Sequence, residues 1–429
     1  MSFKGGFGAV KITEVIDDVL GGELPIRFEA YDGSSSGTKD AKATLVIKSP
    51  DALNHILFGG TGEIGLARAY VSGALEIEGD LMAALALASH FPEVRVRPQH
   101  LQAIAKILGR NARRLPPPPE ESRRYGRLHT LGRDKVSVQH HYDVSNRFYE
   151  LILDSSLTYS CALWEQPDWT IELAQAAKHE LVLRKLNIGE GDRLLEIGCG
   201  WGSHLIHAAQ HFGVRAVGLT ISHAQAELAR KRAAEAGVGD MIEIREQDYR
   251  DFDGEEFDAV SSIGMFEHVG MASAPEYFDT VANALKPGGR ALIHAITTRE
   301  LSKRPILRPD FMRAYIFPDG ELVPHGTMAD EMQRHALEVH HIESLREHYG
   351  PTLEVWLANL EANWEECVEE AGLNRTRLWR LYLAGTATNF SGGRLQVHQI
   401  LATKDTEDGS SSFPSRPDWD ASSLDRFGG

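Results

Sequence analysis

The chain has 429 residues, a formal net charge of −16 and three cysteines. Its length exceeds the usual ~100–200 residues of one domain, so two domains are expected, and the acidic balance argues against bulk nucleic-acid binding. No run of 18 uncharged apolar residues is present to span a membrane. Cys161, Cys199 and Cys367 are spaced for neither a disulfide framework nor a zinc site, which points to a reducing cytoplasm. The opening M-S-F-K-G-G-F-G lacks the apolar core of a signal peptide.

Residues 1–108 read as a small α/β domain. Segments 25–31 and 43–48 alternate like strands around the turn-rich D-G-S-S-S-G-T-K-D, and 53–58, 64–72 and 81–89 have helical periodicity. No catalytic cluster occurs there, so a docking role is expected. Residues 109–135 read as a basic Pro-rich linker, because the prolines of L-P-P-P-P-E-E-S-R-R lack the N–H that a helix needs. Between Glu93 and Lys135 eleven Lys/Arg stand against four Asp/Glu. Such a segment is either a solvated helix face or a contact for anionic lipid headgroups, at roughly 1 kcal/mol per well-placed cation.

Residues 136–404 read as one larger domain. A helix over 171–186 leads to 193–202, R-L-L-E-I-G-C-G-W-G, an apolar strand running into Gly198, Gly200 and Gly202 and then an amphipathic helix. Glycine lets the backbone bend sharply and lets a ligand lie directly on it. A second strand, 214–219, completes a βαβ unit that binds a nucleotide-like ligand at its carboxyl edge. The spacing is G-x-G-x-G rather than the dinucleotide pattern G-x-G-x-x-G, and Glu196 precedes the turn. A carboxylate there repels a pyrophosphate but accepts from the ammonium of an amino-acid-bearing adenosine cofactor. S-adenosylmethionine fits and NAD fits poorly.

Further strands are expected over 241–245, 257–263 and 290–296, with helices between them, giving a doubly wound, mostly parallel sheet. Residues 297–373 interrupt the alternation, with long amphipathic helices that should cover the active-site edge. Residues 393–403 read as a closing strand, and 405–429 as a disordered tail.

Several segments together resemble the cyclopropane-fatty-acyl-phospholipid synthase family, which includes the mycolic acid cyclopropane synthases. They are H-H-Y-D-V-S-N-R-F-Y (140–149), L-T-Y-S-C-A-L-W (157–164), L-L-E-I-G-C-G-W-G (194–202), V-G-L-T-I-S (217–222), Q-D-Y-R-D (247–251), S-I-G-M-F-E-H-V-G (262–270), L-I-H-A-I (292–296) and Y-I-F-P-D-G (315–320). The N-terminal L-P-I-R-F-E-A-Y-D-G-S is similar to the actinobacterial branch that makes methyl-branched fatty acids. The resemblance implies a class I methyltransferase, a Rossmann-like doubly wound α/β sheet, here with a helical lipid-binding insertion expected at 297–373 and a small N-terminal α/β domain whose expected role is docking or lipid presentation.

The resemblance also implies methyl transfer to the cis double bond of an unsaturated phospholipid acyl chain through a carbocation, with a cyclopropane or a methylene branch as product. It places Tyr159 and Ser160 over S-adenosylmethionine, the glycine loop at its amino-acid end, Thr220, Ile221 and Gln225 near the ribose, and Gln247 and Asp248 near the adenine. Bicarbonate is the implied base, held by Cys161, Glu267, His294, the backbone of Ile296, and Tyr349. Taken singly, these are an ordinary buried thiol, a helix-start carboxylate and a core histidine; it is their joint occurrence that points to a site. The aromatic residues Phe148, Tyr149, Tyr315, Phe317 and Trp356 are candidates for an acyl tunnel or for core packing. Thr386 stands where many members carry a cysteine, so no covalent route through that position is open. The implied partners are an unsaturated membrane phospholipid, a second copy of the chain and a separate reductase for a methylene product. The implied location is cytoplasmic, peripheral to the inner membrane face, with no metal and no nucleic acid. A lipid-binding carrier that keeps the fold without catalysis is the competing expectation.

Overall fold

The computed structural model describes residues 10–20, 25–60, 63–88, 97–122, 144–300, 310–411, 413–417 and 419. The chain groups into two compact units. The first comprises residues 1–123, 306–316 and 367–388, and the second residues 124–305, 317–366 and 389–429.

In the first unit, strands β1 (Arg27–Ala30), β2 (Ser35–Gly37), β3 (Ala43–Ile47) and β4 (Leu75–Gly79) form a sheet in the order β2-β1-β3-β4. Apolar residues of β3, β4 and the helices Ile12–Leu20, Pro50–Phe58, Glu63–Val71 and Pro98–Leu108 make its core. The sequence gives no expectation of β4, a short alternating L-E-I-E-G squeezed between two helices.

This unit does not end at residue 108 and is not made of N-terminal residues alone. Arg68 forms a two-pronged ion pair with Glu121, which also accepts from the Tyr315 hydroxyl. Arg377 pairs with Glu76 and donates to Tyr70 O. Partly buried charges of this kind are held by their partners, so 109–122 and two later segments are tied into the unit. The linker expected over 109–135 is therefore part of it as far as residue 122, and 123–143 lie outside the described residues.

The second unit is built on a seven-stranded sheet. Its strands are β5 (Arg193–Ile197), β6 (Arg215–Thr220), β7 (Ile242–Glu246), β8 (Phe257–Ile263), β9 (Leu285–Thr297), β10 (Leu337–Ser344) and β11 (Gln396–Lys404). The order is β10-β11-β9-β8-β5-β6-β7, with β5 to β9 parallel and β11 antiparallel to both its neighbours. Central parallel strands are covered on both faces and read as unbroken apolar runs. Leu194, Leu195 and Ile197 of β5 obey this and are at most 1% exposed. Glu196 does not, and a buried carboxylate in the middle of a sheet marks a site rather than a packing choice.

Local signals set the helix that carries much of the site. Thr170 accepts from Leu173 N at the start of Ile171–Leu186, and Asn187 ends it in the left-handed region at φ 54°. The segment 297–373 is not wholly helical, because β10 adds an edge strand to the sheet. Its alternation L-E-V-H-H-I-E-S is masked by half-exposed histidines, as suits a strand at an edge. Two described aromatics of the tail, Phe413 and Trp419, lie against β10. Phe413 stacks on His340 with ring centroids 4.4 Å apart, and Trp419 meets His341 at 4.5 Å.

Candidate active site

Cofactor pocket. Strand β5 ends at Ile197, and the amides of Gly198 and Cys199 both donate to Leu219 O of β6, at 3.0 and 2.9 Å. This ties the loop across the carboxyl edge of the sheet. Gly198, Gly200 and Gly202 all have positive φ, at 83°, 54° and 79°. Their surroundings separate their tasks. A Cβ on Gly198 would crowd Met265, and one on Gly202 would lie 3.3 Å from Ala229 Cβ. One on Gly200 would meet no protein atom within 4 Å, so Gly200 opens onto the space where a ligand lies.

That space is lined by Tyr159, Ser160, Glu196, Gly198, Gly200, Thr220, Ile221, Gln225, Gln247 and Asp248. Of the residues expected at the cofactor, Gly202 alone is not on the wall; it starts the helix Ser203–Phe212. Thr220 donates its hydroxyl to Gln225 Oε1 at 2.9 Å, holding the two at the end of β6. The carboxylate of Asp248 is engaged by Arg250 on two edges, at 2.9 and 2.8 Å. Glu196 keeps one carboxylate oxygen without a hydrogen-bond partner, and burial pushes its pKa up to about 8 against the pull of Lys178. An orphaned buried carboxylate beside an open glycine is what an ammonium-bearing adenosine cofactor requires, so the residues fit S-adenosylmethionine.

The further wall residues include four ionisable ones that were not foreseen, Lys178, His179, His204 and His268. Lys178 and His179 sit in mid-helix text, A-A-K-H-E-L, that reads as solvated, yet they are 1% and 3% exposed. His204 Nδ1 lies 3.1 Å from His179 Nδ1. Burial holds the His268 imidazole neutral, with its pKa down at about 4. Its position next to Glu267 was the one available signal.

Carboxylate and imidazole. The residues expected to hold the base fall into two groups. Glu267 lies on the short helix Phe266–Val269 and accepts from Ile296 N through Oε1 at 2.5 Å. His294 lies two residues before Ile296 on β9, so both side chains leave the same face of the strand. Oε2 of Glu267 and Nε2 of His294 are buried without hydrogen-bond partners. Burial pushes the Glu267 carboxyl up to about 7 and holds the His294 imidazole well below its usual range.

The tautomer of His294 follows from its neighbours. Fully buried Lys185 donates to Gln399 Oε1 at 2.7 Å, which turns the Gln399 amide nitrogen toward His294 Nδ1 at 3.3 Å. Nδ1 is therefore the acceptor and Nε2 carries the proton. Lys185 and Gln399 fix this arrangement, which the sequence did not disclose.

Cys161 and Tyr349 form the second group. Cys161 Sγ donates to Ala162 O at 3.2 Å and lies 3.7 Å from Leu345 O, immediately before the helix Arg346–Ala362 that carries Tyr349. Burial raises the thiol well above its ordinary pKa, so it stays neutral. Aromatic contacts run Trp201–Tyr149–Tyr159–Trp356–Tyr349–Phe390, with centroid separations of 4.7 to 6.2 Å among the first five and 4.5 Å for the last pair. Phe148 packs edge-on against Tyr149, and Phe317 against His268. Tyr315 belongs to the first unit, where its hydroxyl is committed to Glu121. Among the described residues no His, Cys, Asp and Glu cluster is arranged to hold a metal.

Strand order, glycine loop and pocket define a class I, S-adenosylmethionine-dependent methyltransferase. The chain belongs to the mycolic acid cyclopropane synthetase family, whose description matches residues 129–400. It is 39% identical to a probable fatty acid methyltransferase, Rv3720, of Mycobacterium tuberculosis, over 96% of this chain and 99% of the relative. It is 31% identical to the cyclopropane-fatty-acyl-phospholipid synthase of Escherichia coli, over 86% and 90% respectively. A crystal structure of the mycolic acid cyclopropane synthase CmaA1 complexed with SAH and CTAB superposes with a TM-score of 0.59 at 32% identity. It covers 63% of this chain and 98% of that one.

Proposed function

We propose that this methyltransferase alkylates the cis double bond of an unsaturated phospholipid acyl chain through a carbocation, giving a cyclopropane or a methylene-branched chain. The observation that carries this reading is that Glu267, held by the Ile296 amide through Oε1, and His294, two residues before Ile296, each keep one buried polar atom, Oε2 and Nε2, without a hydrogen-bond partner. An isolated alkene is a weak nucleophile and leaves a cation that must lose a proton in a dry pocket. S-adenosylmethionine supplies the electrophilic methyl group. Bicarbonate, when bound by Glu267 and His294, would supply the base for that proton.

The chain's own groups suit an anion there. His294 presents an N–H, and Glu267 is a neutral acid over the pH range below about 7. Cys161 and Tyr349 complete the set the family resemblance implies. A neutral thiol does not capture a cation as a thiolate would. Cys161→Ser should therefore keep measurable activity, whereas Cys161→Leu should lose far more by crowding the pocket. A dead but folded serine variant, with an adduct trapped on wild-type Cys161, would replace this account by nucleophilic catalysis.

The substrate lies in a bilayer, so the chain works as a peripheral protein on the cytoplasmic membrane face, as a homodimer, with a separate reductase if the product is a methylene. No helix among the described residues is long and apolar enough to cross a membrane. Arg110, Arg113 and Arg114 are exposed in the first unit, and Arg113 has only a loose pairing with Asp51 at 3.4 Å. Reversing all three charges should weaken binding to anionic vesicles, and wild-type binding should fall with salt. Salt-independent binding would assign membrane contact to apolar residues instead. The reaction is tested by incubating the protein with labelled S-adenosylmethionine and vesicles of cis-unsaturated or fully saturated phospholipid. Label should enter only the unsaturated lipid. A carrier without catalysis, the competing reading, would bind both and label neither.

A further inference from the structure

Lys178 is a buried cation for which the reaction above has no task. It lies in the middle of Ile171–Leu186 and on the wall of the cofactor pocket. Its Nζ donates to Ser160 Oγ at 3.1 Å and stands 3.3 Å from His179 Nδ1. Neither partner is an anion, and an ammonium buried without one is costly. The groups whose charge it feels or affects are Glu196, Asp154, Cys161, His179, His204 and His294.

Glu196 lines the same pocket and is in the complementary state, a buried carboxylate with one oxygen unpartnered. Each of the two favours the charged form of the other, while burial opposes both and leaves each near 8. A pocket that presents one buried ammonium and one buried carboxylate, each with an unfilled hydrogen-bonding position, fits a zwitterion.

We propose that Lys178 binds the α-carboxylate of the cofactor's amino-acid end while Glu196 takes its α-ammonium, so that the two residues select the intact zwitterion. Three donors are available on the lysine. Ser160 and His179 hold two of them and aim the third, which makes the contact directional. His179, fixed through its other nitrogen by Thr158 Oγ1 at 3.2 Å, positions the amine and is not itself a ligand contact. The inference rests on the cofactor alone and needs no acyl substrate.

The test compares S-adenosylhomocysteine with its decarboxylated counterpart by calorimetry on the full-length protein. A charge-assisted hydrogen bond in a buried site is worth about 10- to 100-fold in affinity. Wild type should prefer the carboxylate-bearing ligand by that factor. Lys178→Met should lose the preference by weakening S-adenosylhomocysteine by that factor more than the decarboxylated ligand, which feels only the lost support for ionised Glu196. Glu196→Gln should weaken both ligands alike, since both keep the ammonium. Equal binding of the two ligands by wild type would overturn the proposal. So would a folded Lys178→Met protein that loses affinity for both in equal measure, because that is the signature of a merely structural lysine. Should Lys178→Met fail to fold, the wild-type comparison, extended to the methyl ester of S-adenosylhomocysteine, decides alone: the ester should bind as poorly as the decarboxylated ligand, and undiminished binding of it would refute the contact.

Discussion

Gly200→Val is expected to weaken S-adenosylmethionine binding by about 100-fold or more while leaving the protein folded. A side chain at this position meets no protein atom, so nothing in the fold needs the space except the ligand. Forcing extra carbons into an occupied site costs ~1–3 kcal/mol, and a cradle made of backbone has little freedom to yield, so the upper end applies. The φ of 54° adds a penalty of roughly 1–2 kcal/mol to stability for a residue with a Cβ. Gly202→Ala is the control. Its Cβ presses on Ala229 on the helix behind the loop, so it should lower the melting temperature with a much smaller effect on affinity. Titration calorimetry and thermal unfolding on both variants separate the two outcomes. Undiminished affinity in a folded Gly200→Val would remove the loop from the cofactor site.

The second large effect is expected at the carboxylate–imidazole pair. His294→Ala and Glu267→Ala should each lower turnover by roughly 10²-fold or more, the usual scale for losing a positioned acid–base group. Cofactor affinity should change little, since neither residue lines the cofactor pocket. Gln399→Leu should act in the same direction more weakly, by freeing His294 to take the other tautomer. The pH dependence has a definite sign. Burial raises the Glu267 carboxyl to about 7, so its contribution to folding is full below its unfolded value and is lost as pH rises through about 7. Anion binding follows the same course, because the ionised carboxylate repels an anion. At fixed bicarbonate concentration, activity should fall on the alkaline side with a midpoint near 7. Glu267→Gln cannot ionise, and its profile should lose that limb. Unchanged turnover after bicarbonate is added to carefully decarbonated enzyme would reject the proposed base.

The legible parts of this fold are those in which one physical rule acts alone. The helix Ile171–Leu186 was readable to the residue because a Thr cap and an Asn stop bound it, and strand β8 because F-D-A-V-S-S-I lies between the turn-rich text before Phe257 and Gly264. The glycine loop was readable because three alternate glycines before a helix make sense only at a tight turn. Other features depend on partners far away in sequence. Edge strand β10 gains its identity from β11, some 60 residues later. Its alternation, diluted by His340 and His341, looks helical without that partner.

The site divides the same way. Glu267 and His294 were visible through the family motifs, but the atoms that set the His294 tautomer come from Lys185 and from Gln399 on a different strand. Lys178 was hidden for another reason. A lysine in a charged helical stretch reads as solvent-facing, and only the packing of that helix against the sheet buries it. Tyr315, grouped by residue type with the tunnel aromatics, is instead engaged by Glu121. Aromatic type alone carries no address.

Expression of this chain in a host rich in cis-unsaturated phospholipid, followed by mass and NMR analysis of the acyl chains, tests the central claim most directly. The account predicts acyl chains one carbon heavier, bearing either cyclopropane protons or an exocyclic methylene at the former double bond, and predicts their absence with His294→Ala. Acyl chains unchanged in mass, from a folded protein that binds S-adenosylmethionine, would contradict it.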